Sequence, residues 1–163
     1  MIKQFIAQEF CLRCQGCCRF SQEDSVWSPC LSDEDLKEFS RNNLSPSVVY
    51  YHKKIRLIPF QKQNNFLCSL LGQEDNRCKI YSFRPFECQL YPFLINRKGK
   101  KVFLAIDLKC PYAEENLESE IFKKYTRYLV ERLNRPRRLS ILRNNPQIIQ
   151  EYPGVLNLVE LKI

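Results

Sequence analysis

The stretch Cys11-Leu12-Arg13-Cys14-Gln15-Gly16-Cys17-Cys18 sets four sulfurs within eight residues. A Cys-x2-Cys loop lets two thiolates converge on one metal, because the turn brings their Cβ atoms to the same side. Two overlapping copies gather three sulfurs. Cys17 and Cys18 are adjacent, and adjacent side chains diverge. Either one of them is a bystander or the pair serves two neighbouring metal centres.

The cysteines further along favour two centres. Cys68, Cys78, Cys88 and Cys110 raise the set to eight, which is two groups of four. A Cys-x2-Cys-x2-Cys run holds [4Fe-4S] in bacterial ferredoxins, and Cys110-Pro111 repeats the way that run ends. Cys30 is the spare. An isolated cysteine ordinarily behaves as a small buried hydrophobe, and that reading suits it. Nine cysteines is an odd number, which fits a disulfide framework poorly. The N-terminus lacks the apolar stretch of a secretory signal, since Glu9 and Arg13 interrupt it. A cytoplasmic location follows as the expectation, and there a cysteine pattern points to metal or redox chemistry.

Two other uses of cysteine fit less well. No Cys-x2-Cys pair opens a helix within a βαβ pattern, as a thioredoxin-like enzyme requires. A cysteine nucleophile wants a histidine beside it. His52, among Tyr51, Lys53 and Lys54, reads as an exposed or strand-edge residue.

Apolar residues make up 44% of the 163-residue chain, enough for the core of one domain. No apolar run approaches the roughly 20 residues that span a bilayer, so no membrane partner is expected. The formal charge of +8 treats thiols as neutral. Two four-thiolate sites, each of net charge about −2 with its metal, would bring the total to about +4. The basic balance then says less about nucleic acid than it first suggests.

The rest of the chain reads as a small α+β domain. Residues 1–31 read as an irregular, metal-organised segment. Ser32 and Asp35 form a capping box for a helix that ends near Asn42-Asn43, with Leu36 and Phe39 on its buried face. Residues 48–60 are β-branched and aromatic, which suggests one or two strands, with Pro59 stopping the second or placing it at an edge. Phe66-Leu67-Cys68 is a further short strand. Residues 93–96 and 101–104 form a hairpin with Gly99 at positive φ. Residues 113–133 read as one long helix, acidic first and basic last, with the stripe Leu117, Ile121, Tyr125, Tyr128/Leu129 and Leu133 packed into the core. Pro136 breaks that pattern. Arg137 to Leu142 read as a shorter helix, and Val155 to Ile163 as a strand or a packing segment. The expected organisation is a cysteine-cluster domain over 1–112 with short strands, and a C-terminal helical tail over 113–163 packed on it.

The ordered set Cys-x2-Cys-x2-Cys-Cys, Phe66-Leu67-Cys68, Cys78-Lys79-Ile80-Tyr81, Arg84-Pro85-Phe86-Glu87-Cys88 and Tyr91-Pro92-Phe93 resembles the CxxCxxCC cysteine-cluster family, also called YkgJ-like, a zinc- or iron-chelating domain. The match covers Cys11 to about Cys110. The resemblance implies a cytosolic metal-binding domain. Flagellin lysine N-methylases are similar in carrying a related cysteine domain. A protein-modifying enzyme component is therefore an alternative, but Gly16, Gly72, Gly99 and Gly154 are isolated and form no S-adenosylmethionine loop. Arg84 and Tyr81 are the motif's other polar members. Donors to sulfur tune thiolate centres, and Arg84 could be one. Tyr91-Pro92-Phe93 would supply an apolar lid or plain core packing.

All-thiolate ligation suits both zinc and iron–sulfur. The tight triple followed by wide single spacings differs from two separated zinc knuckles and favours an iron–sulfur cluster, [4Fe-4S], with zinc as the alternative. The expected ligands are Cys11, Cys14, Cys17, Cys18, Cys68, Cys78, Cys88 and Cys110. The expected role is redox, sensing or metal accessory, with a protein partner left open. Arg132, Arg135, Arg137, Arg138 and Arg143 form a basic stretch. It supports the rival reading, a zinc adaptor that contacts RNA through phosphate, although a solvated face is the ordinary explanation.

Overall fold

The computed structural model describes residues 2–14 and 16–163, with Lys62 described by its backbone alone. The chain falls into two compact units, one of Ile6–Gln89 and one of Met1–Phe5 with Leu90–Ile163. Both combine helices with small antiparallel sheets, an α+β architecture. No helix among the described residues is long and apolar enough to cross a membrane.

The first unit opens with helix α1 (Gln8–Cys14), where an irregular segment was expected. Glu9 in its first turn and Arg13 in its last suit the helix dipole, yet it buries no residue. Strand β1 (Arg19–Phe20) follows, then helix α2 (Asp33–Arg41). The expected capping box is present at α2: Ser32 Oγ accepts the Asp35 N–H, and the Asp35 carboxylate accepts the Ser32 N–H. Phe39 is the buried residue of this helix, and Leu36 packs beside it against the same core.

Strands β2 (Val49–Tyr50) and β3 (Lys54–Ile55) pair with each other. Strands β4 (Leu57–Phe60) and β5 (Asn65–Cys68) pair antiparallel, and β1 lies on the far side of β5. Pro59 sits in β4 at the sheet edge, where a missing N–H costs least. Arg19 pairs with Leu67, and the Cys68 N–H donates to the Cys18 carbonyl at 3.0 Å. The ladder thereby draws Cys18 beside Cys68. Leu31, Phe39, Ile55, Leu67, Leu70, Leu71 and Ile80 form the core with Cys68, and Cys18 and Cys78 pack against it. Helix α3 (Phe86–Leu90) ends the unit.

In the second unit, strands β6 (Phe93–Lys98) and β7 (Lys101–Ile106) form the expected hairpin, with Gly99 at φ +60° in its two-residue turn. The single helix expected over 113–133 is two helices, α4 (Pro111–Asn116) and α5 (Glu120–Leu133). Ser119 starts the second by accepting the Phe122 N–H at 3.1 Å. That cap resets the register. Phe122, Leu129 and Leu133 are buried, while Ile121 is 68% exposed and leaves the expected stripe.

Helix α6 (Pro136–Asn144) starts at Pro136 itself, because a proline at the first helical position forfeits no hydrogen bond. The terminal segment resolves to strand β8 (Leu156–Glu160), paired with β7. A cluster of aromatic rings fills the unit: Phe93 stacks on Phe122 and meets Phe5 edge-on, and Phe5 stacks on Tyr125. Phe93 of the Tyr91-Pro92-Phe93 segment is thus a core residue, fully buried.

Candidate metal centre

Seven of the eight expected ligands, Cys11, Cys14, Cys17, Cys18, Cys68, Cys78 and Cys88, belong to the unit Ile6–Gln89. Cys11 and Cys14 stand three residues apart on α1, a spacing that puts both on one helical face. Helix geometry, and not the expected loop, aligns these two sulfurs. Both are exposed, as is Cys17. Cys18 turns the other way. Its backbone adopts φ +63°, a left-handed conformation uncommon for a residue with a Cβ, and the chain then enters β1. The divergence argued from adjacency is realised as one exposed and one half-buried cysteine.

Cys18 is the hub of an inner group. Its thiol is hydrogen-bonded to that of Cys68, and this bond, followed by burial, pushes it well above the usual thiol range. Burial raises Cys78, and the nearby Cys18 raises it further. Burial raises Cys88 well above its ordinary value, with Cys18 and then Cys78 adding to the effect. As thiolates, Cys18 and Cys68 therefore repel each other, and Cys18, Cys78 and Cys88 do the same. Cys68 closes β5, Cys78 bridges to Leu71 and Cys88 rides on α3. Cys11 is raised by burial and then by Cys14, with a smaller contribution from Cys18. As they stand, no three Cys, His, Asp or Glu side chains among the described residues are spaced to hold an ion.

Arg84 is the cation that Cys11, Cys18 and Cys78 share, and in each case it favours the thiolate. It is 8% exposed, its guanidinium lies 3.9 Å from the centroid of the Tyr81 ring, and its Nε has no hydrogen-bond partner. A buried, unsatisfied donor beside a group of sulfurs is costly unless an acceptor forms there. Thiolates gathered on a metal are such an acceptor. Arg84 and the thiol donors are thus chemically compatible with a bound metal, and Tyr81 reaches them through its contact with Arg84.

Two carboxylates hold this framework, Asp35, which the sequence showed only as a helix cap, and Glu87, which it gave no role. Asp35 caps α2 with one oxygen, and with the other it accepts the Phe86 N–H at 3.0 Å at the start of α3. Glu87, next to Cys88, is buried and accepts the Cys30 N–H. The Arg84–Cys88 motif contains Glu87, but nothing local in the sequence says that its partner lies 57 residues away.

Cys30 is 1% exposed in the core, and burial with Glu87 nearby pushes its thiol up to about 12. It keeps its proton, as a buried hydrophobe should. Cys110 belongs to the other unit, where it is buried at the cap of α4. His52 is exposed and also left-handed, at φ +56°.

Against known families, one model matches the chain over residues 10–127, that of CxxCxxCC, "Putative zinc- or iron-chelating domain". No curated protein and no solved structure gave a significant match.

Proposed function

Since this chain belongs to the CxxCxxCC family, we propose that it binds metal through cysteine thiolates and that Cys18 is where its two sites meet. Cys18, Cys68, Cys78 and Cys88 form the inner site, and Cys11, Cys14 and Cys17 serve the outer one. The observation that carries the proposal is the inner group itself: the thiols of Cys68, Cys78 and Cys88 all interact with that of Cys18. Cys18, Cys78 and Cys88 are held in the protonated form while no cation is present. A divalent metal or a cluster replaces those protons and turns repulsion into coordination. The proposal rests on the seven cysteines of one unit.

The metal we propose is iron, as an iron–sulfur cluster. Ligands drawn from a strand end, a bridge, a short helix and the Cys17-Cys18 corner form a wide, irregular set unlike paired zinc knuckles. A bound cluster would supply one-electron transfer or a redox-sensitive clamp. The protein would contribute the aligned thiols and Arg84, whose free Nε stabilises thiolate charge. The metal would also organise the unit, because its strands are short and its ligands are scattered along the chain.

The test is purification without oxygen, followed by a visible spectrum and assay of iron, zinc and acid-labile sulfide. Iron and sulfide in matching amounts are expected. Colourless protein with zinc and no sulfide overturns the iron–sulfur assignment and leaves thiolate binding standing. Less than one metal per chain overturns both. Cys18→Ser is expected to lose most of the metal and Cys30→Ala to keep it, and equal retention would remove Cys18 from the centre. Metal affinity should rise with pH across neutrality, since binding must displace protons from thiols whose values are raised.

A further inference from the structure

The charge of the chain is divided unevenly. The unit of Met1–Phe5 and Leu90–Ile163 holds fifteen Lys and Arg against eight Asp and Glu, a net of +7. The cysteine unit holds eleven against ten, a net of +1. Within the basic unit the charge is focused again. Residues 120–144, which are α5 and α6 with their short joint, contain Lys123, Lys124, Arg127, Arg132, Arg135, Arg137, Arg138 and Arg143, against Glu120 and Glu131. Among the described residues, Lys124, Arg127 and Arg135 are exposed and have no ion pair or side-chain hydrogen bond.

We infer that the α5–α6 surface binds the phosphodiester backbone of a nucleic acid. The alternatives lack what they need. A membrane-surface helix must have an apolar face to bury in lipid, but α5 spends Phe122, Leu129 and Leu133 on the protein core. A protein partner is usually held by exposed aromatic or aliphatic anchors, and Ile121 is the one large apolar side chain exposed in this stretch. What remains is a concentrated, Arg-rich cationic surface, and guanidinium forks match phosphate oxygens in pairs. Lys123 is paired with Glu118 and Glu120, while Lys124, Arg127 and Arg135 are left for phosphate. The inference does not depend on the metal reading, because none of these residues belongs to the cysteine unit.

The test uses the full chain, purified without oxygen, and a fluorescent single-stranded RNA of about 20 nucleotides, followed by anisotropy as salt rises from about 50 to 200 mM. Binding at low salt is expected, with affinity falling steeply as salt increases. The triple variant Lys124→Glu, Arg127→Glu, Arg135→Glu is expected to bind at least about tenfold more weakly, with a log–log salt slope smaller by about 2, from roughly 0.7 per charge lost on a single strand. The corresponding Gln triple should show a smaller loss in the same direction. A wild-type denaturation midpoint for the aromatic unit in both variants reports that they are folded. Arg97→Gln with Lys98→Gln, on the exposed end of the hairpin, should leave RNA binding unchanged.

Three outcomes would overturn the proposal. One is no anisotropy change at low salt. Another is equal binding by the folded triple variants. The last is displacement of the RNA by polyglutamate as effectively as by unlabelled RNA, which would reduce the surface to a general anion attractor.

Discussion

The two compact units solve the problem of stability differently. The unit with the β6–β7–β8 sheet buries a cluster of aromatic rings under a regular hairpin, and its six-residue strands pair along their whole length. The cysteine unit relies on strands of two to four residues and single 3-10 turns, and cysteines occupy part of its core and the edge of that core. One unit is held by apolar area, which needs no ligand. The other places raised, mutually repelling thiols where a core would otherwise continue. The lesson is that thiols can stand in for hydrophobes only when something neutralises their tendency to repel, and metal does so.

The comparison breaks most visibly on metal removal. Chelation should abolish hydrogen-exchange protection at β1 and β5 while β6 and β7 stay protected, read segment by segment by mass spectrometry. Uniform loss across both units would mean that the aromatic unit does not stand on its own core. The reverse perturbation is smaller: Phe93→Ala, at a fully buried position, should destabilise by about 3–5 kcal/mol in a denaturant titration and leave metal content unchanged.

Cys30 sharpens the contrast through pH. Its thiol is held near 12 when folded, against an ordinary value of 9.0, so the unfolded chain loses this proton first. The stabilisation is complete below about pH 9 and is lost as pH rises towards 12. Wild type should therefore lose about 2–3 kcal/mol more than Cys30→Ala between about pH 9 and 11. Parallel pH profiles for the two proteins would sink this account. Smallest is the helix start at Ser119. Ser119→Ala should cost about 1 kcal/mol, seen as a lower denaturation midpoint of the aromatic unit alone.

Local chemistry was legible wherever one short stretch carried the whole reason. The capping box at Ser32 and Asp35, the turn at Gly99 and the strand ending at Cys68 all depend on residues near one another in the chain. The break between α4 and α5 was not legible, because the apolar pattern runs through it and a single serine cap decides the matter. The helix at Gln8–Cys14 was missed for a related reason: it buries nothing, so it leaves no apolar period to read.

At the centre the same division holds. The sequence by itself named the candidate thiols, since thiolate chemistry and the Cys-x2-Cys-x2-Cys-Cys spacing are local properties, and it set Cys30 apart from them. Only the tertiary structure decided that Cys18 meets Cys68, Cys78 and Cys88, that Arg84 serves three of the thiols, and that Asp35 and Glu87 hold the pieces. Those relations span up to some seventy residues of chain. They follow from strand pairing and burial, which no local pattern encodes.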